Sequence, residues 1–163
     1  MCPGKPGAGN SHAGFYLGGE AQGRPRFLPT DHSIDHVLLM RAVRKHTDCT
    51  WVLLYIERWL KAPVQLEDGT LEPRERGTPQ GSVISPLLAN LFLHYAFDMW
   101  MQRHYPHIPF ERFADDAICH CMSEAQAQEL RAALARRFVD CALELHPQKT
   151  KIVYCKDDDR RET

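Results

Sequence analysis

Two adjacent carboxylates, Asp115 and Asp116, are the side chains whose type and position most directly suggest chemistry. They stand between two short runs of apolar or mixed character, 110–113 and 117–122, and this pattern predicts a β-hairpin with the pair at its tip. Two carboxylates at a tight turn can reach one hard cation, and Mg²⁺ is typically held by one or two carboxylates plus substrate phosphates. A two-metal phosphoryl-transfer site is therefore one hypothesis. The alternative is a solvated acidic tip, because acidic turns are common.

A glycine-flanked loop is the second stretch with chemical potential. Gly77 and Gly81 enclose the sequence Thr-Pro-Gln, and glycines at such positions allow a backbone to lie close to a ligand. Ser85 and Pro86 then predict a helix start, with Ser85 as N-cap and Pro86 at the first helical position, and the helix continues to about His104. A plain loop ahead of a core helix is the alternative for this stretch.

The elements after the acidic pair would position it. Ser123 and Gln126 form a capping box, which predicts a helix start. That helix has one apolar face, formed by Leu130, Leu134, Phe138 and Cys141. Residues 143–145 and 150–154 are expected to be strands, with Lys149 just before the second, where a lone lysine ordinarily faces solvent. The order of elements predicts an α+β fold, an antiparallel sheet with helices packed on one face.

The elements before the acidic pair are mostly helical. Ile34, Val37 and Leu38 show helical spacing, with Asp31 or Ser33 as the expected cap. A second helix is expected from about Asp48, and its apolar stripe is expected to be core: Trp51, Val52, Tyr55, Ile56 and Trp59. Asp68-Gly69 predicts a short hairpin. We divide the chain into an irregular Gly/Pro-rich leader (1–30), one domain (31–156) and a charged tail (157–163).

Composition limits the possible partners. The chain has 163 residues and a net charge of −1, so a nucleic acid would have to be held by local charge. Six cysteines without Cys-x-x-Cys spacing favour reduced, mostly buried thiols in a cytoplasmic protein over a zinc site. The apolar run 83–101 is interrupted by Pro86, Asn90, His94 and Asp98, which favours a buried helix over a membrane span.

Several of these stretches resemble one family in the same order. The stretch Gly-Thr-Pro-Gln-Gly at 77–81, followed by 85–90, resembles the template-and-nucleotide loop and helix of bacterial group II intron reverse transcriptases, the intron-encoded maturases. Phe-Ala-Asp-Asp at 113–116 resembles their Tyr-Ala-Asp-Asp metal turn, with Phe113 replacing tyrosine. Residues 143–151 are similar to the segment whose lysine lies near the incoming triphosphate, and 34–36 to the end of the motif that carries the first catalytic aspartate.

This resemblance implies a polymerase palm domain with a ferredoxin-like sheet. It implies RNA-directed DNA polymerase chemistry, in which a primer 3′-oxygen attacks the α-phosphate of a dNTP with two Mg²⁺ ions. Asp115 would bind metal and Asp116 would support or share it. Pro79, Gln80 and the Gly77–Gly81 backbone would position template and nucleotide, and Lys149 would contact phosphate or protonate the leaving pyrophosphate. The implied partners are an RNA template and primer, with group II intron RNA as a further candidate.

The chain also departs from the family pattern. The family's first catalytic aspartate lies ten residues before the histidine that matches His36, and Arg26 stands there instead. The first palm strand is therefore expected to be lost or replaced, and the fingers region and the next palm motif are expected to be absent. Asp31 and Asp35 are candidates for a substitute ligand, but the tight geometry that metal ligands need disfavours such a replacement. Loss of a central strand would expose a sheet edge, which predicts self-association.

Three hypotheses follow from these features. The first is a reverse transcriptase palm, for which the missing aspartate and fingers predict that the isolated chain lacks activity. The second is a non-catalytic palm remnant that binds intron RNA or a protein. The third is a truncated remnant of a mobile element without a selected activity.

Overall fold

The computed structural model describes residues 13–17, 34–66, 68–79 and 82–154, the first of these ranges by its backbone alone. In this part of the chain the strands are β1 (Ala13–Leu17), β2 (Val64–Gln65), β3 (Leu71–Glu72), β4 (Phe110–Phe113), β5 (Asp116–Cys121) and β6 (Thr150–Tyr154). The helices are α1 (His36–Val43), α2 (Thr50–Leu60), α3 (Ser85–Leu93), α4 (Met99–His104) and α5 (Glu124–Asp140). A π-helical segment, His94–Asp98, joins α3 to α4 without a break.

The main sheet has four antiparallel strands in the order β4-β5-β1-β6. β4 and β5 form the predicted hairpin, with Phe113 opposite Asp116. β1 lies between β5 and β6, and Leu17 is opposite both Ala117 and Thr150. This mixture of helices and small antiparallel sheets is the predicted α+β fold, consistent with part of a palm domain.

The central strand corrects the expectation of an irregular leader. Ala13–Leu17 fall within residues 1–30, yet they pair on both sides in the middle of the sheet. The open edge expected between β5 and β6 is therefore filled, and that reason for self-association is removed. Sequence periodicity could not show this, because a five-residue run that contains Gly14 and is followed by Gly18 gains its strand conformation from distant pairing partners. The other residues of 1–33 lie outside the described residues, and the division at residue 31 stays a prediction.

One face of the sheet is covered by helices. Alternate residues of β5, namely Ala117, Cys119 and Cys121, are buried on this face. The predicted inner face of α5 is also buried: Leu130, Leu134, Phe138 and Cys141. The Phe97 ring packs edge-on against Phe110 and Phe138, with centroids 5.2 and 6.5 Å apart, and so joins the α3–α4 helix to both β4 and α5. The intervening β5 positions, which begin with Asp116, lie on the opposite face of the sheet.

Helix termini agree with the sequence in part. Ser123 caps α5 by accepting from Gln126 N at 3.2 Å, and the Gln126 side chain accepts from Met122 N at 2.7 Å. Asp35, rather than Asp31 or Ser33, caps α1. Ser85 is not the N-cap of α3 but its first residue, and its hydroxyl donates to the Pro79 carbonyl at 2.5 Å. Pro86 is therefore the second residue of α3 and not the first as predicted, although it still lies in the first turn. The continuous helix ends at His104 as predicted.

The structure confirms some of the other sequence predictions and contradicts others. The hairpin at Asp68-Gly69 is present as β2 and β3, but residues 143–145 form no strand. The stripe on α2 is only partly core, because Trp51 and Tyr55 are 67% and 66% exposed while Ile56 and Trp59 pack against the core. Cys119, Cys121 and Cys141 are free and buried as expected, whereas Cys49 is exposed. No helix within the described ranges is long and apolar enough to cross a membrane.

Replacing Tyr16 by proline tests the central strand. Proline cannot donate a ladder hydrogen bond and leaves its partner carbonyl unpaired, so Tyr16→Pro is expected to lower the free energy of unfolding by about 1–3 kcal/mol in urea denaturation. Tyr16→Thr retains the backbone N–H and serves as control. Equal stability of the proline and threonine variants would contradict the placement of β1 in the sheet.

Candidate active site

The acidic pair occupies the tip of the β4–β5 hairpin. Ala114 and Asp115 form the turn, and Asp116 is the first residue of β5. Ala114 has a φ of 53°, in the left-handed region, which costs an L-residue about 1–2 kcal/mol. Other contacts must therefore hold this turn in place.

Arg112 makes those contacts from the end of β4. Its guanidinium binds Asp98 through two bonds of 2.7 Å, one from Nε to Oδ1 and one from Nη2 to Oδ2. Nη1 donates to the Ala114 carbonyl at 2.6 Å and to Asn90 Oδ1 at 2.9 Å. The Arg112 and Asp98 side chains are only 13% and 16% exposed, so this bidentate pair is largely shielded from water. The strained turn is thus attached directly to the α3–α4 helix.

The π-helical segment aligns the helix for this contact. In a regular α-helix, eight residues rotate through about 800°, which would leave the Asn90 and Asp98 side chains about 80° apart. The i→i+5 bonds of His94–Asp98 reduce the rotation per residue and bring both side chains to the hairpin side. On the other side, Arg137 of α5 donates to the Tyr95 and Ala96 carbonyls at 3.1 Å each. Two arginines therefore bind the same segment from opposite sides.

Asp116 is the electrostatically unusual member of the pair. Burial and, secondarily, the Asp115 carboxylate raise the pKa of Asp116 to about 6, while the Lys149 charge acts in the opposite direction. Its Oδ1 is buried without a hydrogen-bond partner. Because a buried carboxylate oxygen without a partner is costly, this atom is suited to a cation. The structure therefore brings together three of the predicted site residues: Asp115, Asp116 and Lys149.

A divalent cation fits this donor set in part. Asp115 and Asp116 offer carboxylate oxygens, and Mg²⁺ is commonly held by two carboxylates plus substrate phosphates. No group of three histidine, cysteine, aspartate or glutamate side chains suitable for a metal occurs among the described residues. Asp35 does not join the acidic pair in such a group; its Oδ1 instead caps α1 by accepting from Leu38 N at 2.9 Å. Asp31 lies outside the described residues.

The glycine-flanked loop is attached to the start of α1. Gly77 has a φ of 76°, and its N–H donates to the Ile34 carbonyl at 2.8 Å. The buried His36 ring donates from Nε2 to the Gly77 carbonyl at 2.7 Å. Thr78 is fully buried, and the Pro79 carbonyl accepts from Ser85 as described above. Gln80 and Gly81 lie outside the described residues, so their roles stay predictions.

Sequence reasoning missed the support of the turn. Arg112 was not singled out, and Asn90 and Asp98 served only as polar interruptions of an apolar helix. An available signal was the combination of an arginine beside an acidic turn with an aspartate in an apolar run. Their pairing depends on a helical irregularity, which periodicity does not reveal.

Substitution of Arg112 tests the support. Lysine keeps the charge but cannot form the four bonds, so Arg112→Lys is expected to lower the free energy of unfolding by about 2 kcal/mol. Urea denaturation measures the loss. The control is Lys61→Gln, which removes an ion pair of the same 2.7 Å length between exposed side chains and should leave stability nearly unchanged. Similar losses in both variants would contradict the special role of the Arg112 contacts.

The raised pKa of Asp116 predicts a pH-dependent stability. The folded pKa of about 6 exceeds the value of about 3.9 for an unfolded aspartate. The folded state therefore retains the proton between these values, and the stability contribution of Asp116 falls as the pH rises through this window. Asp116→Asn should be more stable than the parent above about pH 6 and equal to it below about pH 4. Urea denaturation across this pH range measures the difference in free energy of unfolding between Asp116→Asn and the parent, with Glu129→Gln as control. A difference that does not change with pH would contradict the prediction.

Comparison with known proteins assigns the chain to a family. The sequence profile of the family described as reverse transcriptase (RNA-dependent DNA polymerase) matches residues 32–162. Protein YkfC of Escherichia coli (strain K12) is 34% identical over 73 residues, which cover 45% of this chain but 19% of that protein. The profile begins after β1, so the central strand lies outside the match. Because the profile covers more than half of the chain, the chain belongs to the reverse transcriptase (RNA-dependent DNA polymerase) family.

Proposed function

We propose that this chain is the palm of a group II intron reverse transcriptase and that Asp115 and Asp116 hold the divalent cation used for RNA-directed nucleotidyl transfer. The observation that carries the proposal is the Arg112-held turn, which presents two adjacent carboxylates with one buried oxygen lacking a partner. An acidic tip that is only solvated has no need of such support. Family membership supports the reaction class.

The residues in and around the turn have defined roles in the proposal. Asp115 and Asp116 bind the cation, and Lys149 offers a positive charge to the triphosphate or a proton to the departing pyrophosphate. Bound Mg²⁺ supplies Lewis-acid stabilisation of the phosphoryl oxygens. Arg112 keeps the two carboxylates in place, since metal-assisted transfer needs its ligands in fixed positions. Phe113, which is 85% exposed, offers apolar surface beside the turn for a primer end.

The group II assignment rests on the motifs of the chain itself. The Gly-Thr-Pro-Gln-Gly loop, the Phe-Ala-Asp-Asp turn and the lysine-containing segment at 143–151 occur in the family's order. In the proposal, Pro79, Gln80 and the Gly77–Gly81 backbone position the template and nucleotide. The anchoring of Gly77 to α1 gives this loop a fixed base.

A second candidate is a non-catalytic palm that binds RNA. It is favoured by the presence of Arg26 where the family's first catalytic aspartate is expected, and by the lack of a third suitable ligand within the described ranges. This alternative predicts RNA binding without nucleotide transfer. Primer extension therefore distinguishes the two candidate functions.

Primer extension on an RNA template tests the proposed function. Because the central strand that was expected to be lost is present as β1, we expect Mg²⁺-dependent extension by the parent chain, against the inactivity expected from the sequence. Asp115→Asn should lower the rate at least about a hundredfold, because the variant loses one of the two charged ligands. Glu129→Gln, an exposed carboxylate outside the turn, is the matched control and should retain the parent rate. Absence of extension by a folded parent that still binds RNA would contradict catalysis and support the alternative.

A further inference from the structure

A cleft of about 370 Å³ lies between α1, the α3–α4 helix and the end of α5. Its apolar floor includes the buried residues Ala42, Phe92, Ala96 and Cys141. The Tyr95 and Trp100 rings, both half-buried, also line it. The volume falls within the range of small-ligand sites, and the cleft is open to solvent.

Positive charge dominates the walls of this cleft. Of the described residues that line it, four are permanent cations and one is a carboxylate, Asp140; the cations are Arg41, Lys45, Arg103 and Arg137. This excess is local, because the whole chain has a net charge of −1. Such a concentration of one sign in a concave site attracts a ligand of opposite charge.

Two of the four cations have defined intramolecular contacts. Arg137 donates to the carbonyls of the π-helical segment, and the Lys45 ammonium lies 4.4 Å from the centroid of the Tyr95 ring. Arg41 and Arg103 are exposed and have no hydrogen bond or ion pair to any described residue. Their guanidinium groups are thus available for an external anion, and an arginine fork matches phosphate oxygens well.

The cleft is separate from the acidic turn. Asn90 and Asp98 face the hairpin through Arg112, whereas Tyr95, Ala96 and Met99 of the same helix line the cleft. None of Asp115, Asp116 and Lys149 contributes to its lining. A ligand there would contact the opposite flank of the helix that supports the turn.

We propose that this cleft binds single-stranded RNA, with Arg41 and Arg103 on backbone phosphates and the Trp100 ring against a base. Cations interleaved with aromatic rings are the usual surface for single strands, since every base has a face that can stack. An acidic peptide would use the cations but not the ring. The inference rests on the proposed function only in taking RNA as the anion, and it requires no nucleotide transfer.

Fluorescence anisotropy with labelled oligouridine at several salt concentrations tests the proposal. The double variant Arg41→Gln/Arg103→Gln is expected to bind about tenfold more weakly, and its salt slope should be smaller by about 1.4, the value for two lost phosphate contacts on a single strand. Arg131→Gln/Arg136→Gln removes the same charge from exposed positions of α5 outside the cleft. This control should retain the affinity and slope of the parent.

Two outcomes would overturn the proposal. Equal weakening in both double variants would mean that overall charge, and not the cleft, attracts the RNA. Displacement of oligouridine from the parent by polyglutamate at equal charge concentration would identify an acidic-peptide surface instead. If primer extension fails while binding through Arg41 and Arg103 persists, the proposed function falls and this inference stands.

Discussion

The contact between Arg112 and Asp98 is the constraint on which the acidic turn depends. A guanidinium with both ends of its fork on one carboxylate has little rotational freedom, so its Nη1 group is fixed on the Ala114 carbonyl and Asn90 Oδ1. That carbonyl belongs to a residue in the left-handed region, whose backbone would otherwise relax. The positions of Asp115 and Asp116 are therefore set by the helix that precedes the hairpin in the chain. Burial and, secondarily, the enforced proximity of the Asp115 carboxylate raise the pKa of Asp116.

The helix can serve this purpose because it is not regular. Its π-helical segment turns Asn90 and Asp98 toward the hairpin and leaves carbonyls that Arg137 binds from α5. The same segment separates two surfaces, the acidic turn on one flank and the cationic cleft on the other. Sheet, turn and cleft are thus connected through one stretch of helix. A substitution that alters the π-helical segment would therefore change the geometry of both the acidic turn and the cleft.

Local pattern predicted the elements that are defined by neighbours in sequence. The β4–β5 hairpin, the capped α5 with its buried face, and the helix ending at His104 follow from alternation, capping residues and periodicity. Asp115 and Asp116 were identified by their type and position, and Lys149 by resemblance; the structure brings the three together. The central strand β1 was missed, because its partners β5 and β6 are more distant in sequence than any local pattern reaches. The exposure of Trp51 and Tyr55 was missed for a related reason, since a stripe does not reveal whether another element covers it.

The central claim is that the Arg112-held turn is a divalent-cation site, and paramagnetic broadening by Mn²⁺ tests it most directly. In an isotope-labelled chain, the account predicts that low Mn²⁺ broadens backbone amide signals around Ala114, Asp115 and Asp116 first, and that excess Mg²⁺ restores them. Arg112→Lys should weaken this selectivity while leaving the carboxylates present. Broadening that begins at other acidic positions, such as the exposed Asp68 turn, with the Asp115 and Asp116 signals unaffected, would contradict the account.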